Sequence, residues 1–277
     1  MHKSAYVFAA LICMQAVPIL RAEEPMPDVR KLMADVREHQ RALDKVRENY
    51  TFSDSVNIDT LDGKGNVKKH ESFEHEVFYV NTHAIERVVK KDGKPLDAKE
   101  DEKETGRIKK MVEKAEKTPP HTALDGNSIS LTRMIEMMDL GNPRRVNFRG
   151  HQTIAFDFVG RKDAKTHGIA EDASKKLRGT VWVDEAAREI VHCEISFYDN
   201  FRIGGGLVAS IEKGSNFAFD QELINHEVWL PTASHIEMNA RALLAMKMRE
   251  RVDERFYDYK KFGVETQSSK DARVVKK

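Results

Sequence analysis

From about Leu177 to Phe262 the chain reads as one strand after another, and this limits its fold more than any other feature. Gly179 to Asp184 and Glu189 to Phe197 alternate apolar and polar residues on either side of Glu185-Ala186-Ala187-Arg188, the pattern of a hairpin. Leu207 to Ile211, Ser215 to Ile224, Val228 to Ala240 and Met246 to Tyr259 continue the series, with a turn at Asn225-His226. Gly204-Gly205-Gly206 supplies a bend before the first of these. A long antiparallel sheet buries one apolar face against something else. The helices that would do so are to be sought earlier in the chain.

Val29, Leu32, Met33, Val36, Leu43 and Val46 recur at helical spacing after Asp28, a capping residue, so an amphipathic helix of roughly five turns is expected there. Tyr50 to Ile58, Val67 to Val80 and Ala84 to Lys90 then read as a three-strand meander, with Asp62-Gly63-Lys64-Gly65-Asn66 as its first turn. Residues 96–117 form a highly charged helical insertion in which Ile108, Met111, Val112 and Ala115 mark one narrow stripe. Thr118-Pro119-Pro120 ends it. A short helix capped by Asn127 or Ser128 is expected next, with Leu131, Met134, Ile135 and Met138 inward and Gly141-Asn142-Pro143 as its stop. Arg144 to Arg149 and Thr153 to Gly160 flank a turn at Gly150, and Ile154, Phe156 and Phe158 share a face. Asp163 to Lys176 is a polar excursion before the long run of strands.

The first residues have the character of an export signal over 1–22. Lys3 gives the positive start, an apolar stretch begins at Ala5, Pro18 breaks it, and a cut after Ala22 is expected. No other stretch is apolar enough to cross a bilayer as a helix. Of the two cysteines, Cys13 leaves with the signal, so Cys193 has no partner within the chain and no disulfide framework is expected. The formal net charge is +1 with 33% charged residues, which lacks the basic excess of a nucleic-acid-binding surface. One domain over 23–264 is expected, followed by a tail over 265–277.

Several short segments sharpen the picture. Leu177-Arg178-Gly179-Thr180-Val181-Trp182-Val183-Asp184, Glu227-Val228-Trp229-Leu230-Pro231 and Tyr257-Asp258-Tyr259-Lys260-Lys261-Phe262, in this order of elements, resemble the periplasmic outer-membrane lipoprotein-sorting proteins. That superfamily includes the lipoprotein carrier, its outer-membrane receptor and regulators of envelope stress. The resemblance implies an α+β fold: a large antiparallel, unclosed β-barrel whose concave face is covered by helices. It also implies periplasmic location and a lipid or acylated protein as ligand. No position matches the carrier's lipid-gating arginine, so no functional residue is carried over. The charged insertion departs from the compact carrier.

The residues lead to a similar expectation by themselves. A curved sheet of about ten strands has a wide inner face, and Phe156, Phe158, Val181, Val191, Ile195, Phe197, Phe217, Phe219 and Leu230 are its candidate lining. Leu131, Met134, Ile135 and Met138 are the candidate helical lid, rich in methionine, which repacks readily. The expected function is non-enzymatic: a lipid or lipidated polypeptide held between sheet and helices after the short helix or the charged insertion moves aside. Transient contact with a membrane surface is compatible with it. The alternative is an envelope interaction or sensor module in which the half-barrel is scaffold and the charged helix docks a protein partner.

Other chemistry finds little support. The eleven histidines include no His-Glu-x-x-His motif, and His70 and His75, five apart on one strand, face opposite sides. Cys193 adjoins His192, but neighbours on a strand also face opposite sides. The three glycines at 204–206 lack the Lys-Ser/Thr ending of a phosphate loop. Glu71, Glu74 and Glu76 read as the wet face of a strand, and Arg144, Arg145, Arg149 and Arg161 as a modest basic edge. No catalytic residue, metal ligand or cofactor is assigned.

Overall fold

The structure, a computed structural model, describes residues 25–122, 124, 131–242 and 246–262. The export signal over 1–22, the Asn127 or Ser128 cap and the tail over 265–277 lie outside the described residues. The chain opens with α1 (Val29–Ala42) and α2 (Asp44–Arg47). The Asp28 side chain accepts the Lys31 N–H at 2.8 Å and so starts α1. The expected five-turn helix is therefore two pieces. At Leu43 the backbone N–H turns back to both His39 and Arg41 carbonyls, which closes α1 one residue before α2 begins.

The meander follows as β1 (Tyr50–Leu61), β2 (Val67–Val80) and β3 (His83–Lys91), with a two-residue β4 (Lys94–Pro95). The charged segment forms α3 (Ala98–Lys117). Its start is a capping box: Asp97 accepts the Lys99 and Glu100 N–H groups while Glu100 reaches back to the Asp97 N–H. Then come α4 (Leu131–Glu136), β5 (Met138–Phe148), β6 (His151–Gly160), α5 (Gly168–Ser174), β7 (Leu177–Asp184) and β8 (Glu189–Phe197). The chain continues through β9 (Phe201–Ile203), a 3-10 turn at Gly204–Gly206, β10 (Ala209–Ile211), β11 (Asn216–Ile224), β12 (Val228–Ala242) and β13 (Met246–Lys261).

The strands make one 13-stranded antiparallel sheet rather than about ten, in the order β4-β3-β2-β1-β13-β12-β11-β8-β7-β6-β5, with β9 and β10 joined to β12. The sheet is not closed: β4 and β5 stand at its two ends. The last strand, β13, sits between β1 and β12, so the first and last parts of the fold are zipped together from Tyr50↔Lys261 to Thr60↔Glu250. This is the unclosed α+β half-barrel expected from the sequence.

Two further expectations need correction. Met138 does not belong to the short helix. It opens β5 opposite Gly160, so the inward residue there is a strand residue. Gly141-Asn142-Pro143 is a bulge inside β5 and not a helix stop: the register with β6 shifts between Gly141 and Arg144, and Asn142 takes a φ of 51°. An end strand tolerates proline because one side of its backbone has no ladder to complete.

The main core lies between α1, α4 and the β5–β8 part of the sheet. Leu32, Met33 and Val36 of α1 meet Met134 and Ile135 of α4, Met138, and the row Ile154, Phe156, Phe158, Val181, Val183, Ile190 and Cys193. A smaller cluster of Tyr50, Val228 and Leu230 sits with Val46 of α2. Glu189, fully buried, ties the helices to β8: it accepts from Gln40 of α1 and Arg47 of α2, each at 3.2 Å.

Candidate functional site: the concave face of the half-barrel

Cross-strand register turns the inner face into two continuous rows. One runs Phe73–Val56–Glu254–Ser234–Phe219–Cys193–Val181–Phe156, from β2 across to β6. The next runs Ile58–Val252–Ile236–Phe217–Ile195–Gly179–Phe158–Leu140, from β1 to β5. Directly opposed side chains of this kind touch, and they form the unit of sheet packing. Gly179 leaves the gap in the second row that Phe158 fills; a Cβ there would lie 2.6 Å from the Phe158 ring and 1.9 Å from the Glu194 carbonyl oxygen.

The rows differ in cover along their length. Phe156, Phe158 and Val181 are fully buried, as are Met134, Ile135 and Met138 of the expected lid. In this half the helices already occupy the concave face. Phe217, Phe219, Ile195 and Phe197 are half-buried, and so are Val56, Ile58, Phe73, Ile236 and Val252. The open stretch of the inner face thus lies over β2, β1, β13, β12 and β11. Leu230 sits in the smaller cluster. Val191 is buried outside the main core: it is the extra residue of a bulge against Trp182 and Val183, which turns Ile190 toward the helices instead. The Leu131 side chain lies outside what the structure describes.

Sequence reasoning missed the residues that make the open half distinct. Their signal was the plain alternation of β1, β2 and β13, but only the register shows that they continue the aromatic rows. It missed too that Glu254 and Ser234 interrupt the first row side by side, the Ser234 hydroxyl donating to Glu254 Oε2 at 2.6 Å. Asp54 and His75 face each other one strand pair away, Asp54 Oδ1 to His75 Nδ1 at 2.5 Å. Glu86, opposite Val77, is the next group on the same face. Burial raises Glu254 to about 7, and Asp54 and Glu86 add to the rise against the Ser234 hydrogen bond. Glu86 also lies above its ordinary value, through crowding by the groove walls and the Asp54 charge, although the side chain itself opens to solvent. For His75, burial works against the charged form, but the bond to Asp54 and the neighbouring carboxylates lift the imidazole above its usual range.

The remaining candidates resolve as structural pairs. His70 binds Asp59, on the face opposite to His75. His192 lies between Phe148 and Trp182 and bonds Asp220 at 2.6 Å, while Cys193 points into the core, where burial drives its thiol up to about 12. A thiol so far from its thiolate is not a nucleophile. Arg144, Arg145 and Arg149 pair with Asp157, Glu185 and Asp220. Two open hollows of about 500 and 620 Å³ lie away from the rows, one at Gly150, Asp184 and Arg188, the other at Lys175, Asp199 and Arg202. The charged insertion, α3, packs against β3 and β2 at the sheet's end and leaves the open rows uncovered.

No known family profile matches the sequence, and no curated protein matches it. Among solved structures, the chain is similar to a DUF1329 family protein from Desulfovibrio piger, at 10% identity and a TM-score of 0.38, over 84% of this chain and 92% of that one. It is similar to a LolA superfamily protein from Nitrosomonas europaea at 12% identity and a TM-score of 0.34, over 83% and 94%. It is similar to an outer membrane lipoprotein-sorting protein domain from Vibrio parahaemolyticus at 10% identity and a TM-score of 0.38, over 88% and 96%.

Proposed function

We propose that this chain is a non-enzymatic binding protein that holds acyl chains, free or on a lipidated polypeptide, on the open half of its concave face. The observation that carries this reading is the pair of rows that continue in register from the helix-covered half into a half-exposed one, the second of them apolar from Ile58 through Val252, Ile236 and Phe217 to Ile195. Each methylene buried there is worth about 0.8 kcal/mol, so a chain lying along one row over Phe217, Ile236 and Val252 gains enough to be retained. The half already filled by α1 and α4 acts as the fixed wall of the groove, and the chain needs no catalytic group. The apolar leader over 1–22 fits action in the periplasm. Leu207, Val208 and Met246, each more than half exposed, stand at the same end of β10, β12 and β13, where Arg202 and Lys247 share a cross-strand row, which supports brief contact with an anionic bilayer. The docking-helix alternative gains less, because the buried face of α3 is engaged with the sheet.

Native mass spectrometry of the protein purified from its own host, with uptake of a neutral fluorescent acyl glyceride as a second readout, tests the proposal. Co-purifying acyl lipid, and uptake that Ile236→Lys reduces about tenfold by placing an unpaired charge in the row, are expected. No lipid and no uptake would refute it.

A further inference from the structure

The open half of the groove carries a negative patch amid its apolar rows. Glu254 and Ser234 stand in the first row between Val56 and Phe219. Glu86 stands on the same face at the mouth, and Asp54 lies beneath, fully buried, with His75 on its Oδ1. Three carboxylates thus face one imidazole. Arg107, a cation near Glu86, is held by Glu104 at 2.6 Å and by the Glu86 carbonyl. A second observation points to a ligand: Asp54 Oδ2 is buried and has no hydrogen-bond partner among the described residues. A buried carboxylate oxygen without a donor is costly, and a donor arriving from the groove relieves that cost.

Resting on the binding reading above, we propose that this groove selects amphiphiles that carry a positively charged amine at one end of an aliphatic chain. An ammonium offers three donors and no acceptor, the complement of a patch made of carboxylates. Its tail then runs along the rows: Phe219 and Phe217 lie two strands from Glu254 and Val252, about 10 Å, a distance that a medium alkyl chain spans. A fatty-acid carboxylate in the same place would add a further negative charge beside a patch whose nearby cations, among the described residues, are already paired with carboxylates. Among the described residues the carboxylates are not gathered as ligands of a metal ion, and the flanking apolar rows suit an organic cation.

The test titrates the full chain with decylammonium, 1-decanol and decanoate, each displacing the neutral fluorescent acyl glyceride, at pH 8, where Glu254 is ionised and the amine still protonated, and at one ionic strength. Decylammonium should bind about tenfold tighter than decanol, and decanoate weaker than either. Glu254→Gln should remove most of that preference. Asp253→Asn removes the same charge from the adjacent residue on the opposite face, where it pairs with His235 at 2.7 Å, and should leave the preference intact. Melting curves of both variants confirm folding. Equal binding of amine and alcohol, or equal losses in the two variants, overturns the amine preference while leaving the groove standing. Binding of none of the three ligands overturns both.

Discussion

Glu104 and Arg107, one turn apart on α3, take opposite ends of the same open stretch of β3. Glu104 Oε1 accepts the Val88 N–H at 2.8 Å, and Arg107 donates to the Glu86 carbonyl at 2.5 Å, while the two side chains pair with each other at 2.6 Å. β4 pairs with β3 at Lys90 and Lys91. Beyond it, a helix side-chain pair completes the backbone ladder that a further strand would otherwise supply, which blunts an edge prone to aggregation.

Glu104→Ala should therefore act on stability and on solubility together. It removes the acceptor of a backbone N–H and the partner of Arg107, a loss of about 1–3 kcal/mol, read from the urea midpoint. Light scattering on partial unfolding should rise earlier than in the parent. An unchanged midpoint would mean that α3 is not the cover of the β3 edge and would return weight to the docking-helix alternative.

Arg47 should matter for a different reason. It is the cation against Glu189, which has no exposed side-chain surface. Burial pushes the Glu189 carboxyl up to about 7 despite Arg47 and Gln40. Arg47→Met at pH 8 leaves a buried carboxylate without its counter-charge, at a cost of about 3 kcal/mol. At pH 5 the carboxyl takes up a proton instead, and the loss should shrink to about a third of that. Urea titrations of parent and variant at the two pH values check the difference.

Alternation made much of this fold readable from sequence. Ile154, Phe156 and Phe158 share a face as expected, and the hairpin around Glu185-Ala186-Ala187-Arg188 stands where the turn residues put it. Met138 was not readable, because the helical spacing of Met134, Ile135 and Met138 runs straight into the strand that Met138 begins. The capping box at Asp97 and Glu100 was legible and overlooked. The pairing of Ser234 with Glu254, and of Asp54 with His75, depends on register across twenty residues or more, and no local pattern encodes it. The site therefore emerged only with the sheet, although every residue in it obeys the simple alternation of its own strand.

The Glu254 environment predicts a slope in stability with pH. Its folded value, about 7, lies above the ordinary 4.5 because of burial, with Asp54 and Glu86 adding to the effect and His75 and Ser234 opposing it. The folded state thus binds more protons than the unfolded chain between those values, and stability falls as pH rises from about 4.5 to 7. His75, raised mainly by Asp54 against its burial, contributes in the same direction as pH rises through its folded value. Melting temperatures at pH 5, 6, 7 and 8 at fixed ionic strength should decline, and Glu254→Gln should flatten the part between 5 and 7. A parent curve that climbs over this window contradicts the assignment.

Phe156 and Phe217 belong to neighbouring rows of the same face and should respond oppositely to truncation. Phe156 is fully buried under the helices, so Phe156→Ala opens a cavity and should cost about 3–5 kcal/mol. Phe217 is half-buried, stacked on Phe219 at 6.3 Å between ring centres, and its loss should cost about 1 kcal/mol. Acyl-probe uptake should reverse the order: Phe217→Ala weakens it several-fold, whereas Phe156→Ala, measured well below its melting temperature, leaves it near the parent value. If Phe156→Ala instead increases uptake, the helices over β5–β8 yield to the ligand, and the binding half of the groove is the one that α1 and α4 close.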